Sequence, residues 1–193
     1  MSSLSERLKL LEDDLKAVPP RIAVCHDLPF AILRYDPSEE WQLRRELRLL
    51  QTRLEAAQKT VHVVRMSDLL WQAIAQSEGL DALVQLERQW GFLPAQEQVT
   101  CYLSDRDWCP LADLVLSHYS GLHPARDIVF LTRVAALAPG LYPVSKLLDE
   151  LHGRTQVPTV LFYPGSREGT FGLRLMNLKD RLAWGNYRVK IYG

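Results

Sequence analysis

Phe30-Ala-Ile-Leu-Arg-Tyr-Asp-Pro-Ser-Glu39 passes from strand to helix within one short stretch, and its reading sets the fold class for the rest of the chain. Apart from Arg34, its first six residues are apolar on both alternating sets, the pattern of a strand covered on both faces. Asp36 then starts a helix. Its carboxylate can accept from free amides of the first turn, Pro37 suits the first helical position, and Glu39 completes a capping-box-like pair. The following helix carries Leu43, Leu47, Leu50, Leu54 and Ala57 on one stripe, with Arg44, Arg45, Arg48 and Arg53 largely off it. Such a charge run reads as a solvated face, and Glu40 and Arg44 are spaced to pair along it.

The same alternation extends in both directions. Upstream, Leu4, Leu8, Leu11 and Leu15 form the stripe of a short amphipathic helix over 1–18, ended by Pro19-Pro20. That stripe either packs on its own domain or offers a partner a helix-binding surface. Downstream, Val61–Arg65 reads as a second strand, with His62 as a packed, hydrogen-bonded core histidine and Ser67 as the next N-cap. Residues 68–90 read as helix with a break near Gly79, before a turn over Gly91–Pro94. Ala95–Gly121 reads as mostly helical, interrupted by Asp105–Pro110, with Leu111, Leu114, Val115 and His118 on one face. Ile128–Thr132 and Thr159–Tyr163 read as strands, with a helix over Val144–His152 between them. Pro164–Gly169 reads as a loop, and Leu173–Met176 and Tyr187–Tyr192 as two closing strands. Strands alternating with helices imply a single α/β domain over 1–193, a mainly parallel sheet flanked by helices. The arrangement is P-loop-like or Rossmann-like, with an antiparallel edge available at the C-terminus.

Composition narrows the function classes. Lys plus Arg (23) balances Asp plus Glu (23), so no overall field draws the chain to nucleic acid or an acidic membrane. Arginine supplies 17 of the 23 basic residues, which suits planar anion contacts and equally reflects coding bias. Three scattered cysteines, Cys25, Cys101 and Cys109, make neither a disulfide framework nor a zinc motif. The N-terminus has no apolar signal region, and no stretch nears the roughly 18 apolar residues of a membrane span. A cytoplasmic location is expected.

Motifs that would carry catalysis are incomplete. Gly165 and Gly169 are one residue too close for a P-loop, and Thr170 follows without a lysine. No G-x-G-x-x-G occurs, and Ser166 lies outside a G-x-S-x-G elbow. His118 follows Ser117 directly, which says nothing of a spatial triad. Cys25-His26-Asp27 cannot readily close round one ion, and H-E-x-x-H is absent. We therefore expect no catalytic residues, cofactor or metal. One constellation stands out. Arg65, Arg133 and Arg167 each follow the end of a strand, which would bring them to the carboxyl edge of a parallel sheet, near Tyr163 and Gly165. There they would grip a phosphate, a nucleotide or a partner's carboxylates. The alternative is three surface arginines paired with local acids such as Asp36 or Glu168. Trp41, Trp71, Trp90, Trp108 and Trp184 supply potential surface anchors, although most are expected in the core.

Four phrases, in order, resemble the BrxB family of BREX bacteriophage-exclusion systems. They are Leu28–Pro37 with Glu40, Ile128–Arg133, Val157–Gly165 and Asn186–Ile191, and the likeness runs from about residue 5 to the end. The resemblance implies a place beside the ATPase BrxC, the methyltransferase PglX and the alkaline-phosphatase-like PglZ, in a system that methylates host DNA and blocks unmodified phage. It brings no catalytic residues. An adaptor is then expected, binding PglZ or BrxC through the helix stripes and the loop Tyr163–Gly169. The alternatives are a nucleotide-sensing or DNA-binding regulatory subunit, the latter through Arg44–Arg53.

Overall fold

The computed structural model describes residues 2–23, 28–169, 172–178, 187 and 189–193. Cys25-His26-Asp27, Thr170, Trp184 and Asn186 lie outside the described residues. The elements are α1 (Leu4–Lys16), β1 (Phe30–Tyr35), α2 (Glu40–Ala56), β2 (Thr60–Arg65), α3 (Met66–Gln76), α4 (Gly79–Trp90), α5 (Phe92–Ser104) and α6 (Leu111–Ser117). They continue with β3 (Asp127–Thr132), α7 (Val144–Leu151), β4 (Thr159–Glu168), β5 (Gly172–Leu175) and β6 (Lys190–Tyr192). The sheet order is β2-β3-β4-β1-β6, all parallel, with β5 antiparallel to the end of β4. This is the α/β class that the alternating elements imply.

Period-two burial divides the core between two faces. Ala31, Leu33, Tyr35, Phe130, Val160 and Phe162 meet Leu43, Leu50 and Leu54 of α2 and the leucines of α1. Phe30, Ile32, Val64, Val129, Leu131 and Leu161 face α3, α6 and α7. Covering both faces is what makes these strands near-continuous apolar runs. Asp36 caps the turn after β1 as expected: Ser38 N–H donates to its carboxylate at 2.9 Å, and Glu39 accepts from the Asp36 N–H at 2.9 Å.

Several expectations are corrected. Leu4, Leu8, Leu11 and Leu15 are all buried within this fold, so they present no stripe to a partner. Polar contacts fix α1 there as well: Lys190 and Tyr192 both donate to Asp14, and Arg53 donates to Glu12 at 2.7 Å. Ala57 falls past the end of α2 and is exposed. Ser67 caps nothing, because α3 begins one residue earlier, directly on β2. The expected turn after α4 shrinks to Gly91 at φ 89°, a left-handed link with α5 starting at once. His118 is exposed. Pro164–Gly169 is not a loop: β4 runs through to Glu168 and pairs with β5 from Gly165↔Leu175 to Glu168↔Gly172. A Pro-Gly pair signals a turn only where the backbone lacks a ladder partner, and here β5 supplies one. Of the two closing strands, β5 supplies the expected antiparallel edge on β4, while β6 lies parallel beside β1. No helix among the described residues is long and apolar enough to cross a membrane.

His62 is also not a core residue. β2 is an edge strand, and the ring is half-exposed while its Nε2 lies 3.0 Å from the buried Asp127 carboxylate. Burial alone would raise the Asp127 pKa. The His123 N–H at 2.8 Å, the His62 ring and the Arg126 charge together outweigh burial and hold it below the usual range. A depressed folded-state pKa stabilises the fold above the ordinary aspartate range near 4, and that contribution is lost as pH falls through the folded value. Asp127→Asn is therefore expected to lower stability by about 1–3 kcal/mol at pH 7. Urea midpoints measured from pH 7 to 3 should show the gap to wild type narrowing below about pH 4.

Candidate functional site

The chain leaves β1 onto one face of the sheet through α2, and leaves β2 and β3 onto the other through α3 and the turn Val134–Leu137. Diverging exits open a crevice at the carboxyl ends of parallel strands, where open α/β folds place ligands. Here it is a groove of about 740 Å³ between α2 and the ends of β2 and β3. Leu47, Val63 and Phe162 contribute apolar surface, and Arg44, Arg45, Arg48, Arg65 and Arg133 bring guanidinium groups to it. A smaller recess of about 250 Å³ adjoins it and shares Glu40, Arg44 and Arg133.

Two of the three arginines expected at this edge, Arg65 and Arg133, line the groove. Arg167 does not: the extension of β4 carries it away as an exposed residue. Tyr163 and Gly165 are not presented either. Tyr163 is buried with its hydroxyl donating to the Leu173 carbonyl at 3.3 Å, and Gly165 is buried under β5. The expected pairings with Asp36 and Glu168 do not form; Arg65 meets Asp68 at 3.3 Å, and Glu168 takes Arg174. The sequence offers Arg44, Arg45 and Arg48 as a solvated helix face or a DNA-binding one, not as part of the sheet-edge arginine cluster. Their helical spacing places them on one side of α2, but only the arrival of β2 turns that side into a wall.

Glu40 is the one acidic residue in the lining, and it is already engaged. The Tyr35 hydroxyl donates to one oxygen, and Arg44 Nε donates to the other at 2.7 Å. Burial, with Glu40 beside it, pushes the Tyr35 hydroxyl far above its usual range, so it stays a neutral donor. The Arg44 guanidinium also sits 4.5 Å over the Trp41 ring. Arg45, Arg48 and Arg133 have no acidic partner within 4.0 Å among the described residues. Arg133 holds a left-handed backbone, φ 58° and ψ 33°, at the point where β3 ends. Among the described residues no cluster of His, Cys, Asp and Glu could hold a metal ion.

A second surface is apolar. All four described tryptophans are exposed, against the expectation that most lie in the core. Trp90, Phe92 and Leu93, at 66%, 60% and 68% exposure, crowd around Gly91 at the tip of the α4–α5 hairpin. Leu83 and Tyr102 of this hairpin form a small cluster with Ile74 of α3, joined to the sheet-face core through Leu70 and Val99. Tyr102 is buried, donates to Glu78 at 2.5 Å and meets the Trp108 ring edge-to-face at 5.1 Å. Burial, then Glu78, pushes its hydroxyl up to about 12. The interior of the hairpin is thus rigidly tied while its largest side chains at the tip face solvent.

Residues 62–190, about two thirds of the chain, match the family model described as BREX protein BrxB. A BREX protein BrxB from Bacillus cereus (strain H3081.97) is 25% identical over 161 residues, covering 80% of each chain. No solved structure matches the chain.

Proposed function

This chain belongs to the BrxB family of BREX proteins, and from that membership we propose that it is a non-catalytic adaptor, holding larger subunits of an anti-phage defence complex together. Its partner in this reading is the alkaline-phosphatase-like PglZ or the ATPase BrxC. The observation that carries the reading is the apolar tip Trp90-Gly91-Phe92-Leu93. Three large side chains held in water by a packed hairpin are costly for an isolated protein, and Trp in particular is an anchor of protein interfaces. The incomplete catalytic motifs support the same reading, as does the engagement of the groove's one carboxylate with Tyr35 and Arg44.

The test is recovery of the tagged full chain from cells carrying the whole operon, with co-purifying proteins identified by mass spectrometry. The wash is repeated at about 1 M salt, where charges are screened beyond about 3 Å. PglZ or BrxC is expected to persist through the wash, because an apolar interface is not weakened by screening. Recovery of neither protein overturns the adaptor reading.

A further inference from the structure

The arginine groove is not absorbed by an apolar docking tip on a different part of the molecule, and it has a chemistry of its own. We propose that it binds a free nucleoside polyphosphate, with the phosphates among Arg45, Arg48 and Arg133 and the nucleoside over the apolar surface of Leu47 and Val63.

Four observations converge on that ligand. The groove stands at the carboxyl edge of a parallel sheet where the chain exits diverge, the usual ligand position of open α/β folds. Its volume of about 740 Å³ lies in the range of small-molecule sites. Of the five guanidinium groups, Arg44 pairs with Glu40 and Arg65 with Asp68, which leaves Arg45, Arg48 and Arg133 without an acidic partner among the described residues. The excess charge is positive, and planar forks match phosphate oxygens two at a time. Arg133, finally, is held in a backbone conformation that non-glycine residues adopt rarely and that clusters at binding sites.

Charge distribution separates a compact ligand from a polymer. A nucleic-acid surface needs a basic stripe long enough to follow a backbone, whereas this chain is neutral overall and the unpaired arginines of the groove line one concave basin. The exposed Val63 gives a ring an apolar seat that inorganic phosphate would leave unused.

Calorimetric titration of the full chain with ATP, inorganic triphosphate and a short oligothymidylate tests the proposal independently of any BREX partner. ATP is expected to bind saturably at one site and more tightly than triphosphate. Arg48→Ala and Arg133→Gly are each expected to weaken ATP by roughly tenfold or more. Glycine keeps the left-handed backbone at position 133, so that variant removes the side chain without adding strain. Arg167→Ala makes the same charge change outside the groove and is expected to leave ATP binding unchanged. The proposal is overturned by absence of saturable ATP binding, by equal weakening in Arg167→Ala, or by an oligothymidylate or triphosphate that binds as tightly as ATP. Failure of these titrations leaves the adaptor test untouched, and the reverse holds too.

Discussion

Replacing Trp90, Phe92 and Leu93 together by alanine is expected to abolish recovery of PglZ or BrxC while leaving the fold intact. Each side chain is largely exposed, so truncating it removes little buried area, and exposed substitutions typically change stability by less than about 0.5 kcal/mol. At an interface the same three would sit at the desolvated centre, where an aromatic anchor contributes about 2 kcal/mol or more. Even partial additivity makes the loss of affinity about 10³-fold or greater. Thermal melting and co-purification of one variant read the two effects separately. An unchanged melting temperature with undiminished partner recovery would remove the hairpin tip from the interface. Gly91 is better left alone in this experiment, since its φ of 89° is what lets α5 follow α4 directly.

Gly165→Ala is expected to have the largest effect on stability of any single methyl group added to this chain. Gly165 pairs with Leu175 where β5 crosses close to β4, and a Cβ there would overlap the Arg174 carbonyl oxygen and press on the Tyr163 ring. Backbone cannot step aside as a side-chain end can, so the cost is about 3 kcal/mol, at the upper end for overpacking. For a chain of this length that lowers the melting temperature by about 6–12 °C. Ser166→Ala, one residue along and partly exposed, should change it little, within about 0.5 kcal/mol. Equal melting temperatures for the two variants would mean that β5 does not pack on β4 in solution.

The same glycine shows why one part of the sequence misleads. Pro164-Gly165 carries every local mark of a turn, and nothing within those residues reveals that β5 arrives from beyond to extend the ladder. The tryptophans mislead for a related reason. Size and apolarity favour burial on average, but exposure depends on which face of a helix is covered. Helices α4 and α5 are covered only on the faces that meet each other, α3 and the core around Leu103, leaving Trp90 outside. In α2, the leucine stripe and the Glu40–Arg44 pair were both legible, since each depends on spacing within one helix.

By itself, then, the sequence determined the α/β class, the central strands, the capped entry into α2 and the amphipathic stripe of α1. All of these rest on periodicity and capping among residues within one or two turns of each other. Its ordered phrases also pointed to the BrxB family. Only the tertiary structure decided that the α1 stripe is spent on this domain's own core, and that Arg167 leaves the carboxyl edge. It alone set Arg44, Arg45 and Arg48 beside Arg65 and Arg133, and left Trp90, Phe92 and Leu93 uncovered. Those outcomes depend on which distant segment arrives at a given face, and no local pattern encodes the identity of a neighbour that far along the chain.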